Sequence, residues 1–242
     1  MRLNLFLARA GQGSRREADQ WIREGRVQVN GRVPEGMGAP VTPGTDRVTL
    51  DGVALHLPET DRYAAYHKPP GALVSRRSQG GKPTIFDRLG EAARGLMPVG
   101  RLDYESEGLL LLTSDGALAE ALLHPRSGLV RVYRVWVRPV PEPAALRRFS
   151  EGATVEGIEV RPLRVVIEGV ERGCGILSVD LAEGKKRELR VIAKNAGLEV
   201  ERLVRTQFGP IRLGPLRRGA MRPLAPSEVD ALRRAAREKS RG

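Results

Sequence analysis

The sequence predicts an α+β chain, and three observations predict it. Residues 1–25 carry two helix-period apolar patterns; later segments alternate with the period of strands; and one continuous leucine run sits between turn signals, with helical stripes on either side of it. At 242 residues the chain is long enough to bury a core in one or two domains. Its formal charge of +12, from 41 Lys plus Arg against 29 Asp plus Glu, predicts attraction to a polyanion, nucleic acid first among them. Cys174 is the sole cysteine, which excludes an internal disulfide, and His56, His67 and His124 lack ligand spacing, so no structural metal is expected. The opening MRLNLFLARAG has a helical period rather than a signal sequence's apolar run, and no stretch approaches the ~20 apolar residues that span a bilayer. The expectation is a cytoplasmic protein with no membrane partner.

Leu3, Phe6, Leu7 and Ala10 fall at helical spacing, and Gly11 supplies a left-handed end. Ser14 to Glu17 has the Ser-x-x-Glu spacing of a capping box, opening a second helix with Ala18, Trp21 and Ile22 on its buried face. Arg15, Arg16 and Arg23 lie near one another on its exposed side, and Gly25 ends it. Val27 to Val29 alternates into an Asn30-Gly31 hairpin turn, and Val48 to Leu50 makes a second strand before Asp51-Gly52. Arginines at the start of such a helix suit a phosphate backbone, although a solvated helix face is the commoner meaning of three or four of them.

PETD, between Leu57 and Arg62, is a proline-led polar hinge. Tyr63 to Lys68 reads as a strand running into Pro69, Pro70 and Gly71. The loop SRRSQGGK from Ser75 to Lys82 ends like a phosphate loop, but Arg76 stands where that motif needs glycine and Pro83 follows the lysine, so a nucleotide-binding loop is rejected. Thr84 to Leu89 looks like a short helix. From Val99 to Asp115 the sequence VGRLDYESEGLLLLTSD sets Asp103 just outside Leu109 to Leu112, a strand buried on both faces. A carboxylate at the rim of a rigid sheet is well placed for chemistry, while most loop aspartates merely turn the chain.

Gly116 to Leu123 is helical with Leu118, Leu122 and Leu123 toward the core, and Arg131 to Val137 is a strand that puts Tyr133 on the face of Val135 and Val137. Cys174 to Leu181 is another strand. The helix after it buries Leu189, Ile192, Ala193 and Ala196 and gathers Arg187, Arg190 and Lys194 on a second face. Arg202 to Gly209 and Ile211 to Leu216 read as two more strands, and Ser227 to Arg241 as a basic, partly helical tail. Eleven basic and three acidic residues lie between Lys185 and Arg222, which concentrates the charge excess there.

GRLD followed by EGLLLLTSDG closely resembles the active-site motif of the RsuA/RluB-type ribosomal RNA pseudouridine synthases. SRREADQWIREGRVQVNGRV similarly resembles the S-four-type RNA-binding module that precedes the catalytic domain in such enzymes. The resemblance implies Asp103 as the catalytic residue, Tyr133 against the target base, Arg190 paired with Asp103, Leu203 lining the uridine pocket, and Arg101 holding the space an extruded base leaves. His67 replaces the family's usual asparagine and Glu188 its usual glutamine. RNA contacts are expected from Arg15, Arg16, Arg23, Arg26, Lys68, Lys185, Lys186, Arg187 and Arg205. The implied architecture is a module over 1–57, a linker over 58–62, a catalytic domain over 63–226 with a mixed, mainly antiparallel sheet and flanking helices, and a basic tail over 227–242. The implied partner is ribosomal RNA or a ribosome assembly intermediate, met by a monomer.

The implied reaction moves uracil from a nitrogen to a carbon attachment on ribose; nothing is gained or lost, so no cofactor is required. It needs one ionised carboxylate, acting as nucleophile or as base. Large-subunit RNA is favoured because GKPTIFDRL resembles the RluB-type branch more closely. A non-catalytic RNA-binding or ribosome-associated protein is the alternative, and its function would survive loss of Asp103. An RNA methyltransferase would need a glycine-rich strand-to-helix turn, and no GxGxxG occurs.

Overall fold

Two short helices open the chain because their apolar residues meet at helical spacing: α1 (Leu3–Arg9) and α2 (Arg15–Arg23) bury Leu3, Phe6, Leu7, Ala18 and Ile22 in a common core. The capping box forms as expected, with the Glu17 amide donating to Ser14 Oγ at 3.2 Å and the Ser14 amide to Glu17 Oε2 at 2.8 Å. An antiparallel sheet of β1 (Val27–Val29), β2 (Val48–Leu50) and β3 (Val53–Leu55) follows. Asn30 and Gly31 both adopt positive φ, 53° and 76°, as a primed turn requires, and Asp51-Gly52 repeats the device between β2 and β3. The Asn-Gly turn closes a single bridge, Val29 to Arg32, rather than the hairpin expected. The chain beyond Arg32 is rich in proline and glycine and has no alternation to extend the ladder, so β1 takes β2 as its partner.

This computed structural model describes residues 1–36, 38–182, 184–185 and 187–238. The chain divides into two compact units, one of residues 1–62 with 89–97 and 113–115, the other of 63–88, 98–112 and 116 onward. After the first sheet the chain forms β4 (Tyr63–Lys68), α3 (Ile85–Leu89), β5 (Met97–Pro98), β6 (Glu107–Thr113), α4 (Gly116–Leu123) and β7 (Arg131–Arg138). Then come α5 (Pro143–Glu151), β8 (Ala153–Val155), β9 (Ile158–Val160), β10 (Arg164–Glu171) and β11 (Cys174–Leu181). The last elements are α6 (Glu188–Asn195), β12 (Glu199–Phe208), β13 (Ile211–Arg212), β14 (Met221–Pro223) and α7 (Pro226–Glu238).

The main sheet has the strand order β10-β11-β7-β12-β6-β4-β14, with β13 attached to β12. Its β10–β11, β11–β7, β7–β12 and β4–β14 pairs are antiparallel, whereas β12 and β6 are parallel, so the sheet is mixed and mainly antiparallel. Every residue of β6 is buried, as four leucines between Gly108 and a turn imply. Leu123 departs from its expected place: it is 40% exposed, and a Cβ on Gly100 would lie 3.0 Å from its side chain. The segment read as a tail is, from Pro226 to Glu238, a helix that packs on α4 and buries Val229, Leu232 and Ala236; residues 239–242 lie outside the described residues. Those three fall at i, i+3 and i+7, a stripe that the arginines around it mask in a reading by composition. Among the described residues no helix is long and apolar enough to cross a membrane.

Candidate active site

Asp103 sits in the loop that enters β6, and the backbone of that loop is pinned from several sides. Ser106 closes a turn by donating its amide to the Asp103 carbonyl at 3.1 Å, and the Gly71 amide donates to the Tyr104 carbonyl at 2.8 Å. Upstream, the Val99 amide donates to the Leu111 carbonyl at 2.8 Å, fixing the other end of the GRLD segment to the leucine strand. Lys68 occupies the centre of this arrangement. Its Nζ donates toward the carbonyls of Ser106 at 2.8 Å, Asp103 at 3.0 Å, Pro69 at 3.1 Å and Tyr104 at 3.4 Å, and the residue is 0% exposed. Lys68 was expected to contact RNA; it cannot, because its ammonium is enclosed and its three protons are spent on backbone oxygens. Burial pushes that ammonium down to about 8, with the Arg88 and Arg205 charges acting in the same direction and Asp103 and Glu107 opposing them.

The Asp103 loop lines a cavity of about 350 Å³, within the size range of small-ligand sites. Tyr133 from β7 and Leu203 from β12 line the same cavity, as the resemblance implies, and both are buried. Strand pairing explains why they meet: Leu203 is registered with Val135, and Tyr133 with Arg205, so period two brings Tyr133, Leu203 and Arg205 to one face of the sheet. Arg131 and Phe208 are registered opposite each other one step further along, with the guanidinium 5.1 Å from the ring centroid, and they extend the wall. Arg131 holds the loop before α6 by donating to the Ala182 carbonyl at 2.9 Å. Neither Arg131 nor Phe208 was singled out in the sequence; alternation with Tyr133 was the available signal for Arg131, whereas a register shift between Arg205 and Gln207 takes Phe208 out of the period.

Arg190 lies on α6 and lines the cavity with Asp103, but its contacts differ from those implied. Nη1 donates to the Val200 carbonyl at 3.0 Å, and Nη2 stands 3.4 Å from Glu105 Oε2. The same carboxylate oxygen is 3.4 Å from Arg187 Nη1. Among the described residues, the ion-pair partner of Arg190 is thus Glu105, two residues beyond Asp103, and the expected Asp103–Arg190 pair is not formed. A loop glutamate had no motif to announce it, although Glu105 is exposed enough to reach both arginines.

The rim of the cavity is basic. Arg101 and Arg187 are exposed and Lys185 half-buried; Arg187 takes a left-handed φ of 55° at the start of α6. The Lys185 amide donates to the buried Glu188 carboxylate at 2.9 Å, so the glutamate standing in the family's glutamine position ties down the loop that enters α6. Lys186 lies outside the described residues. Arg205, expected to contact RNA, is 2% exposed within the cavity wall, its Nε donating to the Leu109 carbonyl at 2.7 Å beside the Phe208 ring.

In the first unit Arg15 and Arg16 are exposed at the start of α2, and neither has an ion-pair partner among the described residues. Arg23 is exposed and donates Nε to the Asp19 carbonyl at 3.2 Å. Arg26 is committed elsewhere: its Nε and Nη2 bind the two oxygens of Asp51 at 2.9 and 2.6 Å, which raises the arginine and lowers the aspartate from their ordinary pKa ranges. Among the described residues no group of three or more His, Cys, Asp or Glu side chains could hold a metal ion.

Comparison with known proteins places the chain among relatives over most of its length. The family model described as RNA pseudouridylate synthase matches residues 62–195, and the S4 domain model matches residues 1–44. An uncharacterised RNA pseudouridine synthase of Aquifex aeolicus is 38% identical over 97% of this chain and 94% of its own length. Ribosomal large subunit pseudouridine synthase B of Bacillus subtilis is 32% identical, covering 96% of this chain and 95% of that one. The protein of the same name from Escherichia coli K12 is 38% identical over 96% of this chain and 82% of that one. A solved structure described as a pseudouridylate synthase superposes with a TM-score of 0.65 at 25% identity, over 96% of this chain and 99% of that chain. With its sheet, its cavity and these matches taken together, the chain belongs to the RNA pseudouridylate synthase family, a family of isomerases, and carries an S4 domain at its N-terminus.

Proposed function

We infer that this chain converts a uridine of ribosomal RNA to pseudouridine, that large-subunit RNA is its substrate, and that Asp103 is the catalytic carboxylate. The observation that carries the reading is the cavity itself: one aspartate on a pinned loop shares about 350 Å³ with a buried tyrosine and leucine, under a rim of arginines. Tyr133, Leu203 and Phe208 give the cavity aromatic and apolar wall for a nucleobase; Glu188, its other carboxylate, accepts from the Lys185 amide, and the basic rim suits the phosphates that come with the base. The names of the Bacillus and Escherichia relatives support a large-subunit target.

On this reading residues 1–57 dock folded RNA, 58–62 link them to the catalytic residues 63–226, and 227–242 close the chain. The target base leaves its stack at a cost of a few kcal/mol, less in a loop than in a duplex. Arg101, exposed beside Asp103, fills the space left behind; Tyr133 stacks on the base; Leu203 packs its other side; and Arg190 adds positive charge near the carboxylate. Lys185, Lys186 and Arg187 meet the flanking phosphates. The enzyme acts as a cytoplasmic monomer without a cofactor.

Incubating the purified protein with unmodified large- and small-subunit ribosomal RNA, free and in assembly intermediates, and mapping pseudouridine by carbodiimide-dependent primer-extension stops tests this directly. One new stop in large-subunit RNA is expected; a stop confined to small-subunit RNA would reassign the substrate, and none on any substrate would sink the reading. The docking role has its own test. Arg15→Ala with Arg16→Ala is expected to weaken RNA binding at every sequence tested and to lower the slope of log affinity against log salt by about 1 to 2. An unchanged slope in a titration from low to moderate salt would remove both arginines from the interface.

A further inference from the structure

Arg205 is held where a cation is hardest to keep. It is 2% exposed, its guanidinium lies 5.4 Å from the Phe208 ring centroid, and its Nε donates to the Leu109 carbonyl at 2.7 Å. Nη1 lies 3.5 Å from the Arg101 carbonyl, and Tyr133, directly across β7, sets its hydroxyl against the same guanidinium. At Nη2, however, no acceptor meets the geometry a hydrogen bond needs. Arg205 is also in no ion pair among the described residues, although it lines the cavity that Asp103 lines. Burial draws its pKa down from the ordinary value, yet a guanidinium stays protonated. A buried donor and an unbalanced buried charge both cost stability, and a fold keeps them where a bound group repays the cost.

The shape of the cavity says what that group is. Tyr133, Phe208 and Leu203 line the cavity with Arg205, as does the Arg131 guanidinium, 5.1 Å from the Phe208 ring centroid, and the planar and apolar surfaces among them fit a nucleobase. A backbone phosphate would meet exposed arginines at the rim before it reached a buried one. We propose that Arg205 is a catalytic residue that receives the uracil as it leaves the ribose, its Nη2 donating to a carbonyl oxygen of the detached base. This proposal rests on the uridine-isomerising reading above.

The charge balance of the reaction calls for such a cation. If Asp103 attacks the sugar, its Oδ–C1′ bond forms as the C1′–N1 bond breaks, and the electron pair of the broken bond leaves with uracil. If Asp103 acts as a base instead, it takes the C2′ proton, the C1′–C2′ double bond forms, and the same electron pair departs with uracil. Either way the free base is an anion whose charge spreads from N1 over its carbonyl oxygens. The base then turns, C5 bonds to C1′, the first step is reversed at Asp103, C5 loses its proton and N1 takes one up, so the net change is an isomerisation. A preorganised N–H aimed at the developing negative charge is worth about 10²–10³ in rate in comparable acyl-transfer sites.

The test compares two RNAs that differ only in the target nucleotide, uridine or 5-fluorouridine, under single-turnover conditions with enzyme in excess. Fluorine withdraws electron density and stabilises the departing base anion, so it reduces the need for a protein cation. The readout is the rate at which the parent nucleoside disappears from nuclease digests. Arg205→Met is expected to slow the uridine RNA by about 10²–10³, to slow the 5-fluorouridine RNA by at least tenfold less, and to leave the RNA dissociation constant unchanged. Arg205→Lys, which keeps the charge, is expected to recover part of the uridine rate. Should the methionine variant fail to fold, Arg205→Gln keeps an N–H without the charge and is read in the same way. Equal losses on the two RNAs would make Arg205 a support for the Leu109 carbonyl only, and a raised dissociation constant with unchanged rate would make it a binding contact; either result overturns the proposal. A parent enzyme that consumes neither RNA overturns the uridine-isomerising reading first, and the two failures are distinguished by that control.

Discussion

Lys68→Met is expected to cost the protein about 3 kcal/mol of stability and more than a hundredfold in turnover. The ammonium serves the carbonyls of Pro69, Asp103, Tyr104 and Ser106 from a fully enclosed position. Methionine fills much of the same volume and offers no donor, so several buried acceptors lose their partner, each at roughly 1–3 kcal/mol before the loop relaxes. Relaxation would move the Asp103 backbone, and a displacement of about 1 Å at a reacting group costs on the order of 10² in rate. Urea unfolding and single-turnover kinetics check the two effects. A variant with parental turnover would show that the loop holds its place without the lysine.

Titration of Lys68 adds a pH dependence of definite sign. Its pKa in the folded protein is about 8, below the ordinary 10.5, so between these values the unfolded chain binds more protons. The contribution of this group to stability therefore rises with pH across that window, by on the order of 3 kcal/mol if it acts alone, and is flat below about 8. Activity is expected to move the other way, because the neutral amine keeps two protons for four carbonyls. An alkaline limb with a midpoint near pH 8 is predicted in the parent's single-turnover rate, and its survival in Lys68→Met would assign the limb to another group.

Gly108→Ala is expected to be strongly destabilising. Gly108 has a φ of 110°, and a Cβ there would stand 2.3 Å from the Arg205 carbonyl oxygen and 2.5 Å from its amide nitrogen. Both contacts are backbone, which cannot rotate away, and the conformation itself is strained for an L side chain. Loss of about 3 kcal/mol or more is expected, with separation of β6 from β12 just where Asp103 and Arg205 approach the cavity. Thermal melting of the alanine variant measures it; a melting temperature within a degree or two of the parent would contradict the close approach.

These positions mark where the sequence was readable and where it was not. The capping box at Ser14, the Asn30-Gly31 turn and the buried leucines of β6 were legible because each is a local pattern with a local cause. Asp103, Tyr133 and Leu203 were legible as a set through resemblance, and they do share one cavity. The parallel β6–β12 pairing was not, since Gly108 and Arg205 meet across almost a hundred residues and nothing in either segment names the other. Lys68 and Arg205 were read as RNA contacts, and nothing in the sequence announced their burial, since charge defaults to solvent; it follows from strands that arrive from elsewhere in the chain. Glu105 drew Arg190 away from its expected partner for a similar reason, being an ordinary loop carboxylate until α6 folds beside it. The stretch that forms α5, β8, β9 and β10 carried no motif and received no reading at all.

The central claim is that one carboxylate, Asp103, performs the isomerisation. Its most direct test is tritium release from ribosomal RNA labelled at carbon five of its uridines, with the parent compared with Asp103→Asn under single-turnover conditions. Asparagine keeps the size of the side chain and removes the charge, so loop geometry and RNA affinity are expected to stay at parental values while release falls to background. Release by the parent alone is the predicted result. Release at comparable rates by both proteins would take the chemistry away from Asp103 and contradict the account.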